Sequence, residues 1–420
     1  MKTQVSSVPR YRPKLLVLAS TYPRWQDDPE PGFVHELSKR LALRFDVTVV
    51  CPHAAGARAC EVMDGVEVVR YRYAPERWER LVNDGGIVGN LRRHPWMLAL
   101  VPGFVLMQAW AAWRIVRRRH VDVVHAHWLI PQGLIAAGLR GLRGGRLPYV
   151  VTSHGADLYA LRGAALDALK RGVLRQSAGA SVVSAAMLKE VDALGVDHSR
   201  VRVLPMGVDV VGRFVLDATV ARQPDELLFV GRLVEKKGLR HLIEALPRVL
   251  RHRPGTVLTV AGFGPEAQAL EEQARRLGIA HAVRFLGAVP QADLPALYRR
   301  AALFVAPFVR ADSGDQEGLP VALMEAVACG CPVVAGYVAG LEDVLGADTK
   351  ALTIDPRDTD ALAERILASL ADPQAAHAAA ERVRLRALDL LDWNRVAERY
   401  ADLLRTACGA EAEIRRPTGK

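Results

Sequence analysis

The sequence predicts an α/β protein made of two doubly wound halves, and three observations lead to this fold class. Short runs rich in Val, Leu and Ala alternate with helical stretches along the chain. The runs are apolar at consecutive positions, as in strands that a parallel sheet buries on both faces. After a stretch that carries Pro205, Gly207 and Gly212, the alternation begins again. Regular alternation of strand and helix is typical of parallel sheets covered by helices on both sides, and the restart indicates two of them.

The predicted strands lie on both sides of a boundary that we expect near residues 205–222. In the first half they are 14–19, 46–50, 121–125, 149–152, 180–184 and 201–204. In the second half they are 226–230, 256–261, 283–286, 302–306 and 332–335. The predicted helices between them include 35–43, 239–250 and 266–277.

Composition and cysteine content indicate a globular protein from a reducing compartment. With 420 residues the chain is too long for one ordinary core, and its 50% apolar and 24% charged residues are ordinary for globular proteins. The odd number of cysteines argues against a disulfide scaffold, and Cys329 with Cys331 has no second pair to complete a zinc site. The first apolar run, residues 15–19, is too short for a signal peptide. We therefore expect a cytoplasmic protein.

The positive charge of the chain is concentrated near its start. The net charge is +10, and residues 1–120 hold 19 Lys and Arg against 11 Asp and Glu. Such a surface suits nucleic acid, anionic lipid or phosphorylated substrates. No aromatic-basic RNA-binding signature, zinc finger or helix-turn-helix pattern accompanies it, which argues against nucleic acid as a partner.

One apolar segment, residues 96–116, raises the question of a membrane. Three arginines follow it at 117–119, but Pro102 and Gly103 interrupt it and Arg114 lies inside it. Three interpretations stay open. The segment is a helix packed on the protein, a helix lying in the interface of an anionic membrane, or a membrane span. In the second case the residues at headgroup depth would be Trp96, Trp110 and Trp113.

Two strand-end loops of the second half suit a diphosphate. The first, GRLVEKKG (231–238), carries Arg232 and Lys237, a planar fork and a point charge. The second, AGFGPEA (261–267), fits the pattern Gly262-x-Gly264-x-x-Ala267. Loops at the carboxyl ends of parallel strands line the ligand-binding edge of a sheet. Taken alone, each is also compatible with a solvated turn or with glycines that are only structural.

The segment EGLPVALME (317–325) combines a predicted anion site with two carboxylates. Pro320 is expected to start a helix, which places Glu317 just before its N-terminus and Glu325 about two turns inside. The free backbone N–H groups of residues 318–322 then attract an anion. Because carboxylates repel phosphate but accept hydrogen bonds from hydroxyls, the segment predicts a sugar beside a phosphate. The alternative is a glutamate at the helix dipole followed by a solvated one.

Candidate ligand contacts in the first half also follow strands. In PGFV (31–34), Gly32 permits a close backbone approach, and in TSHGADLY (152–159), His154 either contacts a sugar or packs at a helix end. His125 and His127 end another strand. We expect their side chains to point to opposite faces, which would make them poor ligands for one metal ion. No metal site is predicted, and Asp358 is interpreted as a helix cap.

Together these segments resemble glycosyltransferase family 4, whose members have the GT-B fold of two facing Rossmann-like domains. The match covers about residues 14–345 in the family's order. It consists of STYP (20–23) with PGFV (31–34), HAHW (125–128), SHG (153–155), LPMGVD (204–209), FVGR (229–232) with KG (237–238), AGFGPE (261–266), FLG (285–287) and EGLPVALME (317–325). The last stretch matches the family's Glu-x7-Glu motif. The loop 31–34 departs from the pattern, because it carries one glycine where many relatives have two.

The resemblance implies retaining transfer of a hexose from a UDP- or GDP-sugar, without a metal or other cofactor. Arg232 and Lys237 would hold the diphosphate, Glu325 would bind the ribose, and Glu317 and His154 would act at the donor sugar. The donor-binding set it implies is Gly32, Arg232, Lys237, Gly262, Gly264, Gly318, Leu319, Pro320, Val321 and Glu325. It further implies an acceptor-binding domain over residues 1–205, a nucleotide-sugar-binding domain over 206–391, and a C-terminal helix, about 392–412, that packs back on the first domain.

The acceptor expected from the basic first half and from residues 96–119 is a glycan or polyprenyl-linked glycan of surface or exopolysaccharide synthesis. Other classes stay open. A GT-B phosphorylase or epimerase would release its product without such an acceptor, and a binding module would hold the donor without transfer. A nicotinamide-dependent oxidoreductase would explain the glycines at 262 and 264. The next strand, however, ends in FLG (285–287) instead of the acidic residue that such enzymes place on the ribose.

Overall fold

The computed structural model describes residues 11–26, 28, 32–82, 86–312 and 314–414. Pro31 of the first strand–helix loop and Ser313 lie outside the described residues. The described chain contains two sheets, one in each half of the sequence. This arrangement confirms the predicted α/β class.

The first sheet has eight strands in the order β3-β4-β2-β1-β5-β6-β7-β8. They are β1 Lys14–Leu18, β2 Asp46–Pro52, β3 Cys60–Met63, β4 Val66–Tyr71, β5 Val123–His127, β6 Tyr149–Ser153, β7 Gly179–Val182 and β8 Val201–Val203. All neighbours are parallel except β3 and β4, which form an antiparallel hairpin. Strands β5 and β6 are buried at every position, as expected for a sheet covered on both faces.

Helices cover both faces of the first sheet. They are α1 Phe33–Leu41, α2 Gly86–Arg93, α3 Val101–Arg118, α4 Leu134–Leu142, α5 Ala156–Tyr159, α6 Ala164–Gln176 and α7 Leu188–Ala193.

The second sheet has six strands, all parallel, in the order β11-β10-β9-β12-β13-β14. They are β9 Gln223–Val230, β10 Val257–Ala261, β11 Val283–Gly287, β12 Ala301–Ala306, β13 Val333–Gly336 and β14 Thr353–Ile354. The helices of this half are α8 Leu239–His252, α9 Ala267–Arg276, α10 Leu294–Arg300, α11 Val321–Ala328, α12 Leu341–Leu345, α13 Thr349–Leu352, α14 Thr359–Ala371 and α15 Pro373–Leu391. Leu239, Leu242, Ile243 and Leu246 make α8 amphipathic, since this spacing places them on one buried face.

The last helix, α16 Trp393–Ile414, returns to the first sheet after the second half is complete. The Tyr400 hydroxyl donates a hydrogen bond to the carbonyl oxygen of Leu204 (2.9 Å). Leu403 packs so closely on β7 that a Cβ at Gly179 would lie 2.7 Å from its Cδ1 atom. The chain therefore crosses between the halves twice, near residue 208 and near residue 392, where Val208 and Asp392 form a parallel bridge.

Helix α3 contains most of the apolar segment singled out in the sequence. Phe104, Ala112 and Val116 are buried against the first half, and the buried Gln108 amide donates hydrogen bonds to the carbonyl oxygens of Ala19 (3.0 Å) and Val50 (3.2 Å). Among the described residues, the helical segment Pro95–Arg118 is long and apolar enough to cross a membrane, judged by length and composition alone. Its outer side exposes apolar side chains, namely Trp96, Leu98, Leu106 and Trp110.

Three strands were not predicted from the sequence, namely β3, β4 and β14. Strands β3 and β4 form a hairpin around Asp64 and Gly65, both with positive φ, and Asp-Gly is the usual sequence of such a two-residue turn. The signal was therefore present in the sequence. Strand β14 has only two residues, which is too short for any pattern to show.

Candidate functional site

A cavity of about 400 Å³ lies between the two halves. Its walls come from loops that follow the carboxyl ends of parallel strands, including the loops after β6, β9 and β10, together with the first turns of α1 and α11. Ligands of open α/β sheets bind at this edge, because the helices that follow the strands direct their free N–H groups toward it.

Three cations lie at the second-half wall of the cavity. Lys236 and Lys237 form ion pairs with the two oxygens of the Glu317 carboxylate, at 3.4 and 3.3 Å. Lys236 also pairs with Asp315 (3.3 Å). Within the described part of the chain, the Arg232 guanidinium has neither a hydrogen bond nor an ion pair, and Arg232 lines the cavity. The wall thus keeps a guanidinium available for an anionic ligand.

Glu317 is ionised in spite of its burial. Removal from water favours the neutral carboxyl, but Lys236 and Lys237 outweigh this effect and lower the pKa of Glu317 to about 2. Burial lowers the pKa of Lys237, whereas for Lys236 the burial effect is overcome by Glu317 and Asp315, which raise its pKa. The carboxylate therefore fixes two ammonium groups in the cavity wall before any ligand arrives.

Glu325 is in a different state from Glu317, although both carboxyl groups line the same cavity. Tyr298 donates a hydrogen bond to Oε2 (3.0 Å) and Gln291 donates to Oε1. Burial is the dominant influence and raises the pKa of Glu325 to about 7. This carboxyl is positioned by two donors and can accept or donate a hydrogen bond near neutral pH.

Two glycines predicted to bind the donor make the strand-end loops pack on each other. A Cβ at Gly262 would lie 1.9 Å from the carbonyl oxygen of Gly231, and one at Gly264 would lie 2.5 Å from that of Leu233. Gly262 lines the cavity, but Gly264 does not. The absence of a side chain at Gly264 therefore serves loop packing, and the contact of this residue with the donor stays a prediction.

Backbone of the two halves meets at Gly155 and Gly318. A Cβ at Gly155 (φ +106°) would lie 3.1 Å from the Gly318 Cα atom, and one at Gly318 would lie 2.8 Å from the carbonyl oxygen of His154. Gly318, Leu319 and Val321 line the cavity, whereas Pro320 does not. Pro320 is the residue before α11 and turns the chain into the helix, and its contact with the donor also stays a prediction.

His154 lies in the cavity wall after β6, where its ring stacks on His127 with centroids 5.1 Å apart. Its Nε2 atom is hydrogen-bonded to His127 Nδ1 (2.9 Å). The expectation that His125 and His127 point to opposite faces is wrong: their ring centroids are 4.2 Å apart. Alternate residues of a strand share a face, and only consecutive ones are opposed.

The positions of the ring protons on His127 and His154 follow from a nitrogen atom that has no hydrogen-bond partner. His127 Nε2 is buried and has no hydrogen-bond partner among the described residues. A buried N–H without an acceptor costs more than an unused lone pair, so that His127 Nε2 is the unprotonated nitrogen. His127 then donates from Nδ1 to His154 Nε2, which leaves the His154 proton on Nδ1. Burial lowers the pKa of His154 to about 3, so that the ring is neutral.

Several cavity residues were not predicted, namely Lys236, Asp209, Arg213 and Gln291. Lys236 was within a segment already chosen, but nothing in the sequence distinguishes it from its neighbour. Gln291 is brought to Glu325 by a loop after β11, which only the folded arrangement reveals.

Within the described residues, no group of three or more His, Cys, Asp and Glu side chains is arranged to hold a metal ion. Asp358, which the sequence suggested as a helix cap, accepts a hydrogen bond from the backbone N–H of Ala361 (2.9 Å) at the start of α14.

Two facing Rossmann-like halves with a cationic cleft between them define the class of GT-B glycosyltransferases. The chain belongs to glycosyltransferase family 4. Residues 33–211 match the family described as Glycosyltransferase Family 4, and residues 217–386 match Glycosyl transferases group 1. This membership makes the protein a hexosyltransferase and leaves no support for the oxidoreductase alternative.

Curated relatives agree with this family. Glycogen synthase of Mycobacterium tuberculosis is 32% identical over 400 residues, which cover 90% of this chain and 91% of that protein. A GDP-mannose-dependent alpha-(1-6)-phosphatidylinositol monomannoside mannosyltransferase of Mycolicibacterium smegmatis is 36% identical over 48% of this chain and 55% of that protein. The putative colanic acid biosynthesis glycosyltransferase WcaL of Escherichia coli is 29% identical over 59% of this chain and 61% of that protein.

Solved structures confirm the GT-B fold. Sucrose-phosphate synthase from Thermosynechococcus elongatus superposes with a TM-score of 0.76 at 20% identity, covering 95% of this chain and all of that one. HepE from Anabaena, in complex with UDP-glucose, superposes with a TM-score of 0.69 at 18% identity, covering 94% of this chain and 99% of that one.

Proposed function

We propose that this chain transfers a hexose, with retention of anomeric configuration, from a UDP- or GDP-sugar to a glycan or polyprenyl-linked glycan in surface or exopolysaccharide synthesis. The observation that carries the proposal is the cationic wall formed by Arg232, Lys236 and Lys237 around Glu317. Relatives named for GDP-mannose and for colanic acid synthesis, and a similar fold bound to UDP-glucose, support the donor and acceptor classes.

The reaction places its largest charge change on the leaving diphosphate. As the bond between the anomeric carbon and the phosphate oxygen breaks, negative charge grows on that oxygen and positive charge on the sugar ring. Arg232 and Lys237, held in place before the reaction, would stabilise the leaving group, and fixed donors of this kind supply much of an enzyme's rate enhancement. Glu317 would hold Lys237 in position and accept hydrogen bonds from the sugar.

The proposed roles of the remaining wall residues follow from their protonation states and their positions. His154, neutral and protonated on Nδ1, would donate a hydrogen bond to a sugar hydroxyl or phosphate oxygen. Glu325 would bind the ribose hydroxyls, and Gly32 would let the α1 terminus approach the diphosphate. These assignments use ten of the predicted site residues, namely Gly32, His154, Arg232, Lys237, Gly262, Glu317, Gly318, Leu319, Val321 and Glu325.

Donor hydrolysis tests the proposal directly. The purified full chain is assayed with UDP-, GDP- and ADP-sugars for release of the nucleoside diphosphate, and proton NMR of the product follows the anomeric configuration. We expect one donor to be hydrolysed slowly with retention, and Glu317→Ala and Lys237→Ala to lose turnover by at least about 100-fold. Arg284→Ala, on β11 and outside the cavity wall, is the control. Turnover by both site variants at the wild-type rate would overturn the proposal.

We also propose that the transfer needs no metal ion, because Arg232, Lys236 and Lys237 already place three cationic side chains at the wall where the diphosphate would bind. Turnover in excess EDTA should equal turnover without it. A loss that Mg²⁺ or Mn²⁺ restores would show that a metal ion completes the site.

Peripheral binding to the inner face of the plasma membrane would bring a lipid-linked acceptor to the cleft. We propose that α3 lies in the membrane interface, because Gln108 ties it to the first sheet while Leu106 and Trp110 stay exposed. If α3 spanned the membrane, the Gln108 amide could not reach the carbonyl oxygens of Ala19 and Val50. Leu106→Asp should reduce sedimentation with anionic liposomes at low salt, whereas Leu385→Asp, an equally exposed leucine on α15, should not. Equal sedimentation of both variants and wild type would remove the membrane contact.

A further inference from the structure

The first-half wall of the cavity contains a hydrogen-bonded series that the donor site does not use. The Tyr22 hydroxyl lies 2.7 Å from His35 Nδ1, and His35 Nε2 lies 2.9 Å from Asp64 Oδ2. Tyr22 and His35 are buried, whereas the Asp64 side chain is 40% exposed. Helix α1 supplies His35, and the tip of the β3–β4 hairpin supplies Asp64.

The hydrogen bonds of this series all run in one direction, with each group donating toward Asp64. The Asp64 carboxylate can only accept, so that His35 carries a proton on Nε2 and donates it to Asp64. Burial raises the pKa of the Tyr22 phenol well above its usual value, so that the hydroxyl keeps its proton and can donate to His35 Nδ1. The hydrogen bond from His35 lowers the pKa of Asp64. The result is an ionised carboxylate with a fixed orientation, whose Oδ1 atom has no partner in the described part of the chain.

This carboxylate lines the same cavity as the predicted donor site. Helix α1 also supplies Phe33, whose ring lies 4.9 Å from the ring of His154. Both His35 and Asp64 line the cavity that also contains Glu317. An acceptor bound at Asp64 would therefore occupy the same cavity as the donor sugar and approach it from the first half.

The charges of the wall restrict what can bind there. The ammonium of Lys39 is paired with Glu36 (2.7 Å), and the Arg24 guanidinium is paired with Asp28 (2.6 Å). Asp64 adds a further negative charge, and Trp25, 42% exposed, adds an apolar surface. A phosphate would meet carboxylates here, whereas a sugar hydroxyl would find an acceptor.

We propose that Asp64, held by His35 and Tyr22, binds a hydroxyl of the acceptor, and that the acceptor group entering the cavity is an uncharged saccharide. The inference rests on the proposed transfer function and names the acceptor side of that site. Any phosphate of a lipid-linked acceptor then lies away from Asp64.

The test separates transfer from donor hydrolysis. The full chain is given its hydrolysed donor together with methyl glycosides and disaccharides, or with hexose 1- and 6-phosphates, and products are identified by mass spectrometry. Asp64→Asn removes the charge at an exposed hairpin tip. Asp192→Asn is the matched control, because Asp192 is also hydrogen-bonded to a histidine, His198 (2.7 Å), but lies outside the cavity wall.

We expect uncharged saccharides to be glycosylated and Asp64→Asn to lower kcat/KM for the acceptor by about 10- to 100-fold, the effect of losing a hydrogen bond to a charged group. Donor hydrolysis without acceptor should stay within about two-fold of wild type for both variants, since the diphosphate contacts are untouched. Transfer only to sugar phosphates, no transfer to uncharged saccharides, or wild-type transfer by Asp64→Asn would each overturn the inference. Absence of donor hydrolysis in wild type would instead contradict the proposed function.

Discussion

Two glutamates eight positions apart, Glu317 and Glu325, differ in pKa because their neighbours differ. Two ammonium groups hold Glu317 ionised, whereas burial beside two neutral hydrogen-bond donors raises the pKa of Glu325 to about 7. Their spacing could be read from the sequence, and it correctly brings both to one cavity. Their charges could not, because Gln291 and Tyr298 come from elements that only folding brings beside Glu325.

Glu325→Gln tests the state of this carboxyl through stability. The unfolded carboxyl ionises near 4.5 and the folded one near 7, so that its stabilising contribution is complete below pH 4.5 and is lost as the pH rises through 7. Glutamine stays neutral throughout. The free energy of unfolding of the Gln variant should exceed that of wild type by on the order of 3 kcal/mol at about pH 8, and the difference should fall to less than about 1 kcal/mol at about pH 5. Urea titrations at both pH values measure it, and an equal difference at both would contradict the raised pKa.

His127 positions the proton of His154 without reaching the cavity itself. His127→Leu removes the hydrogen bond to Nε2, which lets the His154 proton move between nitrogens. We expect kcat for donor hydrolysis to fall by about 10-fold with KM nearly unchanged, because one hydrogen bond is lost in the transition state. His127→Asn, whose amide N–H can take the place of Nδ1–H, should restore most of the rate. A purely structural role would instead lower stability and leave Asn and Leu equally impaired.

At the scale of elements, glycine acts in the strand-end loops by allowing two backbones to touch. Gly262→Ala would place a methyl group 1.9 Å from the carbonyl oxygen of Gly231 and push the two loops apart. We expect it to lower stability by at least about 1–3 kcal/mol and to weaken donor binding. Gly138→Ala, in α4 with open space around it, should be neutral or slightly stabilising. Thermal unfolding and nucleotide titration measure both effects, and a stable Gly262→Ala with unchanged binding would refute the packing role.

The sequence was most informative where burial leaves a continuous apolar run, as in β1 and β12. The sequence was less informative near the edges of the two sheets. The β3–β4 hairpin was overlooked although Asp64 and Gly65 are typical of its turn. For Gly264 and Pro320 the sequence could not separate ligand binding from packing, because strand–helix glycines and helix-start prolines serve both.

At the scale of the molecule, the halves touch where the chemistry is expected. Gly155 and Gly318 bring the loop after β6 against the start of α11, beside His154 and Glu317. Helix α16 ties the end of the chain to the first sheet, so that movement between the halves would bend the two crossings near residues 208 and 392. These contacts join segments that are far apart in the sequence. The sequence could therefore predict site residues within each half, but not which of them meet across the cavity.

The measurement that tests the central claim most directly is calorimetric titration of the full chain with UDP and GDP, for wild type, Arg232→Ala and Lys237→Ala. We expect wild type to bind one nucleotide saturably. Each variant should bind that nucleotide at least about 10-fold more weakly, because it loses a charge-assisted contact. Arg284→Ala should bind as wild type does. Equal affinity of all four proteins, or no binding of either nucleotide by wild type, would contradict a diphosphate site at this wall.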